Sequence, residues 1–293
     1  MLTDRDWQLL LRRISQGKCT PFLGAGACYG TLPMAADIAS QWSSKYEYPM
    51  ESHPDLARVA QYLAVQFDPM FPKEELVREF IDGIPHPDFD EAGETHGVLA
   101  SLPLSLYMTT NYDDFMYDAL VHHDRFPRRA VCRWNSVLQE QACVLDDAPP
   151  TEASPVVYHF HGWRGQPESL ILTEDDYLNF LVSVSRNADL LHASVKEALS
   201  ARSLLFIGYG LRDWSFRVLF QGLITMMESS LRRISVTVQL LPISSSASPA
   251  QKARVEEYLT QYLDRMDMRV HWGTATEFVQ ELGERWREFG ENA

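Results

Sequence analysis

The sequence has only four cysteines in 293 residues, and none of them belongs to a CxxC pair. They are scattered along the chain at Cys19, Cys28, Cys132 and Cys143. This pattern favours reduced thiols in a cytosolic protein over a disulfide framework. It also gives no support to a tetrahedral zinc site, which draws on closely spaced ligands. We therefore predict neither disulfides nor a bound metal.

Long hydrophobic runs are absent as well. Although 45% of the residues are hydrophobic, no apolar stretch approaches the roughly 20 residues that a membrane-spanning helix needs. The first seven residues mix acidic and basic side chains and lack the basic and apolar regions of a secretion signal. These absences predict a cytoplasmic protein that does not associate with membranes.

Positive charge is scarce. Lys and Arg total 26 against 40 Asp and Glu, so the net charge is −14. This sign argues against a broad surface that binds a phosphate backbone. We expect that this chain does not bind nucleic acid directly and that a partner protein provides any such binding.

The sequence does contain a Gly-Ala-Gly turn, Gly24 to Gly26, directly after a short apolar strand. Glycine lacks a Cβ atom, so it can adopt positive φ and let a ligand's phosphates approach the backbone amides. A helix predicted over 35–46 would point its N-terminus at the same place. Two interpretations remain open from this motif alone: a nucleotide site, or a strand-to-helix turn that needs glycine only for close packing.

Strand-like apolar runs alternate with amphipathic helical segments along most of the chain. The predicted strands cover 19–23, 104–110, 127–134, 155–162, 234–241 and 268–272, with another beginning at residue 203. The predicted helices cover 4–16, 35–46, 96–102, 115–121, 177–184, 188–199, 214–227, 249–263 and 274–289, with a helical hairpin between 52 and 83. This alternation predicts an α/β fold with a Rossmann-like, mostly parallel sheet and helices on both faces. We predict a single domain over 1–293 with a helical insertion at about 47–95.

Three later strands end in residues suited to a binding site. Thr109-Thr-Asn-Tyr-Asp113 ends one strand, His161-Gly162 ends the next, and Gly208-Tyr-Gly210 repeats the glycine-rich arrangement of the opening turn. Open α/β sheets place their chemistry at such carboxyl ends. We take one of His159 and His161 to be a satisfied core or surface histidine, and we choose His161 as the functional residue because a glycine follows it.

Taken in this order, the four motifs resemble the sirtuin superfamily, and more closely the sirtuin-like NADase domains of bacterial anti-phage defence systems. The resemblance extends from about residue 17 to the last strand, and the predicted helical insertion lies where that family also carries helices. Four ordered motifs are far more specific than a single Gly-x-Gly.

The resemblance implies a role for each motif. It assigns NAD binding to the glycine turns and their flanking residues, and catalysis to an asparagine and a histidine. The implied binding residues are Gly24, Ala25, Gly26, Pro33, Asp113, Gly208, Tyr209 and Gly210, and the implied catalytic residues are Asn111 and His161. NAD would be a substrate, and no metal is implied.

These residue types suit cleavage of the bond between nicotinamide and ribose. Positive charge builds up on the ribose, so the site needs a base or acceptors for a hydroxyl or water. His161 is the candidate base because its unperturbed pKa lies near neutrality, and Asn111 offers both a donor and an acceptor. Asp113 would hold the loop or contact the nicotinamide amide. Alternatively, Asp113 and Asp114 simply cap the helix beginning at residue 115.

One departure from the superfamily narrows the activity. Deacylating sirtuins carry a zinc module of two cysteine pairs after the catalytic histidine, whereas no cysteine follows His161 here. Hydrolysis of NAD to nicotinamide and ADP-ribose is therefore favoured over protein deacylation. A sensor that binds NAD or ADP-ribose without turnover is the main alternative. We interpret Cys28 as a packing or backbone contact because no basic residue adjoins it in the sequence.

The resemblance also implies a biological role, that of an effector that depletes NAD in anti-phage defence. The length of the chain leaves little room for a sensor of its own. We therefore expect activation by homo-oligomerisation or by a separately encoded partner, such as a HerA-type ATPase or an Argonaute-like protein.

Overall fold

The computed structural model describes residues 2–50, 55–210, 235–242 and 248–291. Within these ranges seven strands form one sheet, and every neighbouring pair is parallel. The strands are β1 (Cys19–Leu23), β2 (Leu106–Thr109), β3 (Arg128–Val131), β4 (Val156–His159), β5 (Ser203–Ile207), β6 (Ser235–Gln239) and β7 (Met268–Trp272). Their order is β3-β4-β2-β1-β5-β6-β7. The predicted parallel α/β sheet is confirmed.

The described helices connect these strands. They are α1 (Asp4–Ser15), α2 (Ala35–Lys45), α3 (Leu56–Gln66), α4 (Phe71–Phe80), α5 (Thr95–Ala100), α6 (Phe115–His122), α7 (Ser136–Gln139), α8 (Val144–Asp147), α9 (Glu174–Arg186), α10 (Ala193–Ala201), α11 (Pro249–Asp264) and α12 (Ala275–Glu291). The helix predicted over 214–227 lies outside the described residues. None of the described helices combines the length and hydrophobicity needed to cross a bilayer.

Alternation along each buried strand divides the sheet's side chains between two cores. In β5, Leu204 and Phe206 enter one core, which α9, α10 and α11 cover. Leu205 and Ile207 enter the other core, which α1, α5, α6 and α12 cover. Helices therefore pack on both faces, as predicted.

A third apolar cluster joins α2, α3 and α4 above one end of the sheet. Its buried members on these helices include Trp42, Leu63, Leu76 and Phe80, and Leu170 and Leu172 pack against them from the segment before α9. The apolar residues of α3 recur at helical spacing, so one face of the helix is buried in this cluster. The predicted helical insertion is present between β1 and β2. Its limits of about 47–95 and the single-domain boundary stay predictions.

The strand order places the chain's motifs side by side. The chain builds the sheet on one side of β1 with β2, β3 and β4, and then crosses to the other side with β5. Ligands of open α/β sheets bind outside the carboxyl ends at such a reversal. The segments that follow β1, β2, β4 and β5 are the four predicted motifs, so they share this edge.

Candidate active site

A cleft of about 1380 Å³ opens at the carboxyl ends of the central strands. This volume exceeds the usual range for pockets that hold drug-sized ligands. Eight of the ten predicted site residues line it, namely Ala25, Pro33, Asn111, Asp113, His161, Gly208, Tyr209 and Gly210. Gly24 and Gly26 are not among the lining residues. Ala35 and Ala36, the first two residues of α2, also line the cleft, so the N-terminus of this helix lies at the same cleft as Ala25.

Gly24 and Gly26 pack against the second glycine turn. Gly24 N donates to Ile207 O and Gly26 N donates to Gly208 O, both at 2.9 Å. A Cβ atom on Gly26 would lie 2.9 Å from Gly208 Cα, closer than real side chains approach. Gly24 and Gly26 do not use the positive φ that is open to glycine. Gly24 has φ of −119°, whereas Gly208 has φ of +83°. The structure therefore shows the close-packing role, and ligand contact by Gly24 and Gly26 stays a prediction.

Tyr209 fixes the wall between the two turns. Its side chain is buried, and its hydroxyl donates to Leu23 O at 2.7 Å and lies 3.0 Å from Thr110 Oγ1. These contacts tie the end of β5 to the ends of β1 and β2. Tyr209 therefore gives the cleft a rigid side.

Asn111 has a fixed side-chain orientation. Its Nδ2 group donates to Gly24 O at 3.1 Å and to Cys28 Sγ at 3.2 Å. Because a backbone carbonyl only accepts hydrogen bonds, the NH₂ end of the amide must face Gly24. Asn111 Oδ1 is therefore the end of the amide that does not face Gly24, in a residue that lines the cleft. A bound water or hydroxyl would find a preoriented acceptor there.

His159 holds the backbone of the same loop. Its Nδ1 lies 3.1 Å from Asn111 O, to which it donates, and Asn111 N donates to Thr109 Oγ1 at 2.9 Å. Burial lowers the pKa of His159, so the ring is neutral at pH 7. Sequence reasoning missed this positioning role, because strand alternation indicates where a side chain points and not which carbonyl it meets.

His161 is the predicted histidine that reaches the cleft. Its ring packs edge-on against Tyr177 and Phe180, at centroid distances of 5.4 and 5.7 Å. Burial lowers the pKa of His161 to about 3, so the imidazole is neutral at physiological pH. Gly162 follows with φ of +92°, and a Cβ atom there would overlap the backbone of Ser169. The predicted His-Gly pair is therefore a sharp turn that leaves the imidazole at the wall of the cleft.

The low pKa of His161 has a consequence for stability. An unfolded histidine titrates near 6.5, so between about pH 6.5 and 3 the unfolded chain binds a proton that the folded chain does not. The contribution of neutral His161 to the unfolding free energy is therefore fully present above this pH window and is lost as the pH falls through it. The pKa of His159 is lowered too and acts in the same direction.

We expect His161→Gln to flatten this acid dependence. Between pH 6 and 5 the wild type should lose up to about 1.4 kcal/mol more unfolding free energy than the variant, the limit for one titrating group over one pH unit. Urea unfolding at each pH measures the difference. Only the change of unfolding free energy with pH is compared, so a destabilisation of the variant that is the same at every pH cancels. Parallel slopes would show that His161 is not buried in its neutral form.

Asp113 has two anchored oxygens. Oδ1 accepts from Phe115 N at 2.9 Å, which stabilises the start of α6, and Oδ2 accepts from the Cys28 thiol at 3.3 Å. The alternative in which Asp113 caps this helix is therefore observed, and Asp113 is also one of the residues that line the cleft. Contact with a nicotinamide amide stays a prediction.

Asp114 does not cap α6 with its side chain. Its carboxylate instead accepts from Arg129 Nε at 2.7 Å, Trp163 Nε1 at 2.8 Å and Arg164 Nε at 2.5 Å. These partners outweigh burial and lower the pKa of Asp114. The capping interpretation of Asp114 is wrong, because charged partners from β3 and the loop after β4 compete with the helix for this carboxylate.

Behind Asn111 lies a buried group that sequence reasoning did not assemble. Cys28 Sγ lies 3.9 Å from His96 Nε2, and His96 Nδ1 lies 2.7 Å from Glu94 Oε1. Burial and the neighbouring Asp113 raise the pKa of the Cys28 thiol well above its usual value, so the thiol stays protonated. His96 follows Cys28 by 68 residues, and no spacing pattern in the sequence joins the two.

Comparison with known proteins bears on this site. A protein named NAD(+) hydrolase ThsA from Acinetobacter baumannii (strain 532279) is 23% identical over 287 residues, which cover 95% of this chain and 55% of that protein. Another of the same name from Cytobacillus dafuensis is 26% identical over 217 residues, covering 73% of this chain and 40% of that protein. A protein named Defense-associated sirtuin 2 from Bacillus subtilis is 26% identical over 141 residues, covering 46% of this chain and 12% of that protein.

The chain thus spans about half the length, or less, of the curated relatives it matches. Their names agree with the predicted resemblance to sirtuin-like proteins. The model of the family described as SIR2-like domain matches residues 105–263, more than half of the chain. That stretch begins just before β2 and includes Asn111, His161 and the Gly208 turn. The chain belongs to the SIR2-like domain family.

Proposed function

We propose that this chain is a NAD glycohydrolase, which binds NAD in the cleft and hydrolyses it to nicotinamide and ADP-ribose. The observation that carries the proposal is the convergence of Asn111 and His161 at one cleft, with a fixed acceptor on the first and a neutral imidazole on the second. The relatives named NAD(+) hydrolase, at 23% and 26% identity, support it.

The substrate's diphosphate fits the end of the cleft formed by α2. The first-turn amides of a helix lack intrahelical acceptors, and the helix dipole adds partial positive charge there. Ala35 and Ala36 at this terminus line the cleft, as does Arg58, which pairs with Glu174 at 3.3 Å. Backbone amides, a helix dipole and a guanidinium together form a suitable environment for two phosphates.

The nicotinamide ribose then lies between Asn111 and His161. Loss of nicotinamide leaves positive charge on the ribose, which the Asn111 Oδ1 dipole stabilises directly or through a water. His161 accepts the proton of the attacking water or of a ribose hydroxyl. Its pKa is low in the free protein because burial alone acts on it.

The sensor alternative is favoured by one observation. A histidine with a pKa of about 3 is a weak base, and the ideal general base titrates near the working pH. A chain that binds NAD or ADP-ribose tightly but releases no nicotinamide would be a sensor. Measuring binding and turnover on the same sample separates the two functions.

Asn111→Ala tests the proposal. We expect nicotinamide release to fall by about 10²–10³-fold, the usual loss on removing a preoriented polar group from an active site, while NAD affinity changes by less than tenfold. Chromatographic assay of nicotinamide and calorimetric titration with a non-cleaved NAD analogue provide the two measurements.

Asn187→Ala is the matched control for this substitution. Asn187 is exposed at the end of α9, where its Oδ1 accepts from Asp189 N, and we expect its loss to leave turnover unchanged. An Asn111→Ala protein that cleaves NAD as fast as the wild type would refute the role of Asn111.

We further propose that NAD loss serves anti-phage defence in the cytoplasm. The relative named Defense-associated sirtuin 2 supports this role. Activation would come from homo-oligomerisation or from a partner such as a HerA-type ATPase or an Argonaute-like protein. Specific activity that rises with protein concentration would indicate self-association, whereas activity that needs an added partner would indicate the second route.

A further inference from the structure

Three potential metal ligands converge on the wall of the cleft. Cys28 Sγ, His96 Nε2 and an oxygen of Asp113 all lie within 4.8 Å of one another, and all three residues are buried. They come from the turn after β1, from α5 and from the loop after β2, so the fold rather than local sequence brings them together. Cys28 and Asp113 also line the cleft.

The distances suit one tetrahedral cation. Zn²⁺ binds cysteine sulfur at about 2.3 Å and histidine nitrogen or carboxylate oxygen at about 2.0–2.2 Å, so two ligand atoms at a tetrahedral angle lie about 3.5 Å apart. Cys28 Sγ lies 3.3 Å from Asp113 Oδ2 and 3.9 Å from His96 Nε2. A shift of a few tenths of an ångström would give these two pairs the required separation. His96 Nε2 and the Asp113 oxygen lie within 4.8 Å of each other, so the third pair would close by at most about 1.3 Å.

Each ligand already has a supporting hydrogen bond. His96 Nδ1 lies 2.7 Å from Glu94 Oε1, and Glu94 Oε2 accepts from Gly97 N. When Nδ1 donates to this carboxylate, His96 Nε2 carries the lone pair, and it lies 3.9 Å from Cys28 Sγ. Carboxylate–histidine pairs of this kind orient the ligands of zinc sites.

The other two ligands are held in the same way. Asp113 Oδ1 accepts a hydrogen bond from Phe115 N, which orients the carboxylate, and Cys28 Sγ accepts one from Asn111 Nδ2. Three supported ligands, two of them on residues that line a cleft, match the ligand count of zinc sites that leave the fourth position to water or substrate.

We propose that Cys28, His96 and Asp113 bind a thiophilic divalent cation of the Zn²⁺ class at the wall of the cleft, with the Cys28 thiol losing its proton to solvent as the ion binds. The ion would sit beside Asn111, whose amide contacts the ligating sulfur. Occupancy would place a positive charge where the reaction also develops one, and would therefore inhibit NAD cleavage. This inhibitory effect rests on the proposed function, whereas the binding of the ion does not.

Titration of the metal-free full chain with Zn²⁺, in competition with a chromophoric chelator, tests the site. We expect one equivalent of Zn²⁺ per chain, and Co²⁺ in its place should give a thiolate charge-transfer band. Cys28→Ser should abolish the band and weaken Zn²⁺ binding by at least about 100-fold, and Glu94→Gln should weaken it by about 10–100-fold. Serine is nearly the size of cysteine, and circular dichroism verifies that both variants fold.

Cys143→Ser is the matched control. Cys143 is a buried thiol at the N-cap of α8, where serine is a favoured residue, so this variant should bind Zn²⁺ and Co²⁺ like the wild type. Absence of Zn²⁺ binding in the wild type, or binding that Cys28→Ser leaves intact, would overturn the proposal.

The inhibitory effect is measured separately. Zn²⁺ should stop nicotinamide release by the wild type and the Cys143→Ser protein, and a chelator should restore it, whereas adding Zn²⁺ should not change the rate of the Cys28→Ser protein relative to that variant's own rate without Zn²⁺. A chain that binds Zn²⁺ but never cleaves NAD would disprove the proposed function and leave the metal site standing. Undiminished cleavage by a Zn²⁺-loaded chain would overturn inhibition.

Discussion

His161→Gln is expected to lower nicotinamide release by about 10²–10⁴-fold, the usual contribution of a general base. Glutamine keeps a polar side chain of similar length, so the wall formed by Tyr177 and Phe180 remains filled. It cannot take up a proton, however, and the water or ribose hydroxyl loses its base. Because His161 acts on the reacting atoms rather than on the nucleotide as a whole, the loss should fall on kcat, with KM changed by less than tenfold.

His86→Gln is the control for this substitution. His86 is exposed in the loop between α4 and α5, so its replacement should leave kcat unchanged. Steady-state kinetics of nicotinamide release from NAD measures both variants. A His161→Gln protein that keeps the wild-type kcat would remove the histidine from the mechanism, and a loss confined to KM would assign it to binding alone.

Gly208→Ala should destabilise the fold by about 2–5 kcal/mol. Positive φ costs a non-glycine residue about 1–2 kcal/mol, and overpacking of a tight contact typically adds about 1–3 kcal/mol. At Gly208 both apply, since φ is +83° and a Cβ atom would overlap Ala27 N and lie 2.6 Å from Gly24 O. These neighbours are backbone atoms, so no side chain can rotate away to make room.

Gly210→Ala offers a comparison within the same turn. A Cβ atom there would have no atom within 4 Å among the described residues, so we expect a change below about 0.5 kcal/mol. Urea unfolding of both variants gives the difference directly. Equal stabilities would mean that the two glycine turns do not pack as closely as the structure shows.

Most of the fold was predictable because its signals are local. The Cys19–Leu23 and Met268–Trp272 strands were predicted with their observed limits, since short apolar runs bounded by polar or glycine residues leave little choice. The strand predicted over 127–134 is shorter, Arg128–Val131. At the edge of the sheet it pairs only with β4 among the described strands, so pairing ends sooner than the apolar pattern.

The candidate site was also predictable only where its signals are local in the sequence. Strand ends predicted which motifs would meet, and Asn111, His161 and the Gly208 turn do share one cleft. What each residue does within it depends on contacts across the fold. The tight packing of Gly24 and Gly26 needs Gly208, which lies more than 180 residues away, and the group of Cys28, His96 and Asp113 is likewise assembled only by the sheet order. The expectation of no metal followed from sequence spacing, which carries no information about such a group.

A comparison of nicotinamide release by the wild type, Asn111→Ala, His161→Gln and the double variant tests the central proposal most directly. The assay is run at several protein concentrations, with and without candidate partners, so that an inactive resting state is recognised. If both residues act on one step in one cleft, each single variant should release nicotinamide at least about 10²-fold more slowly than the wild type. The double variant should be little slower than the slower of the two single variants. Equal release by all four proteins would contradict NAD cleavage by Asn111 and His161.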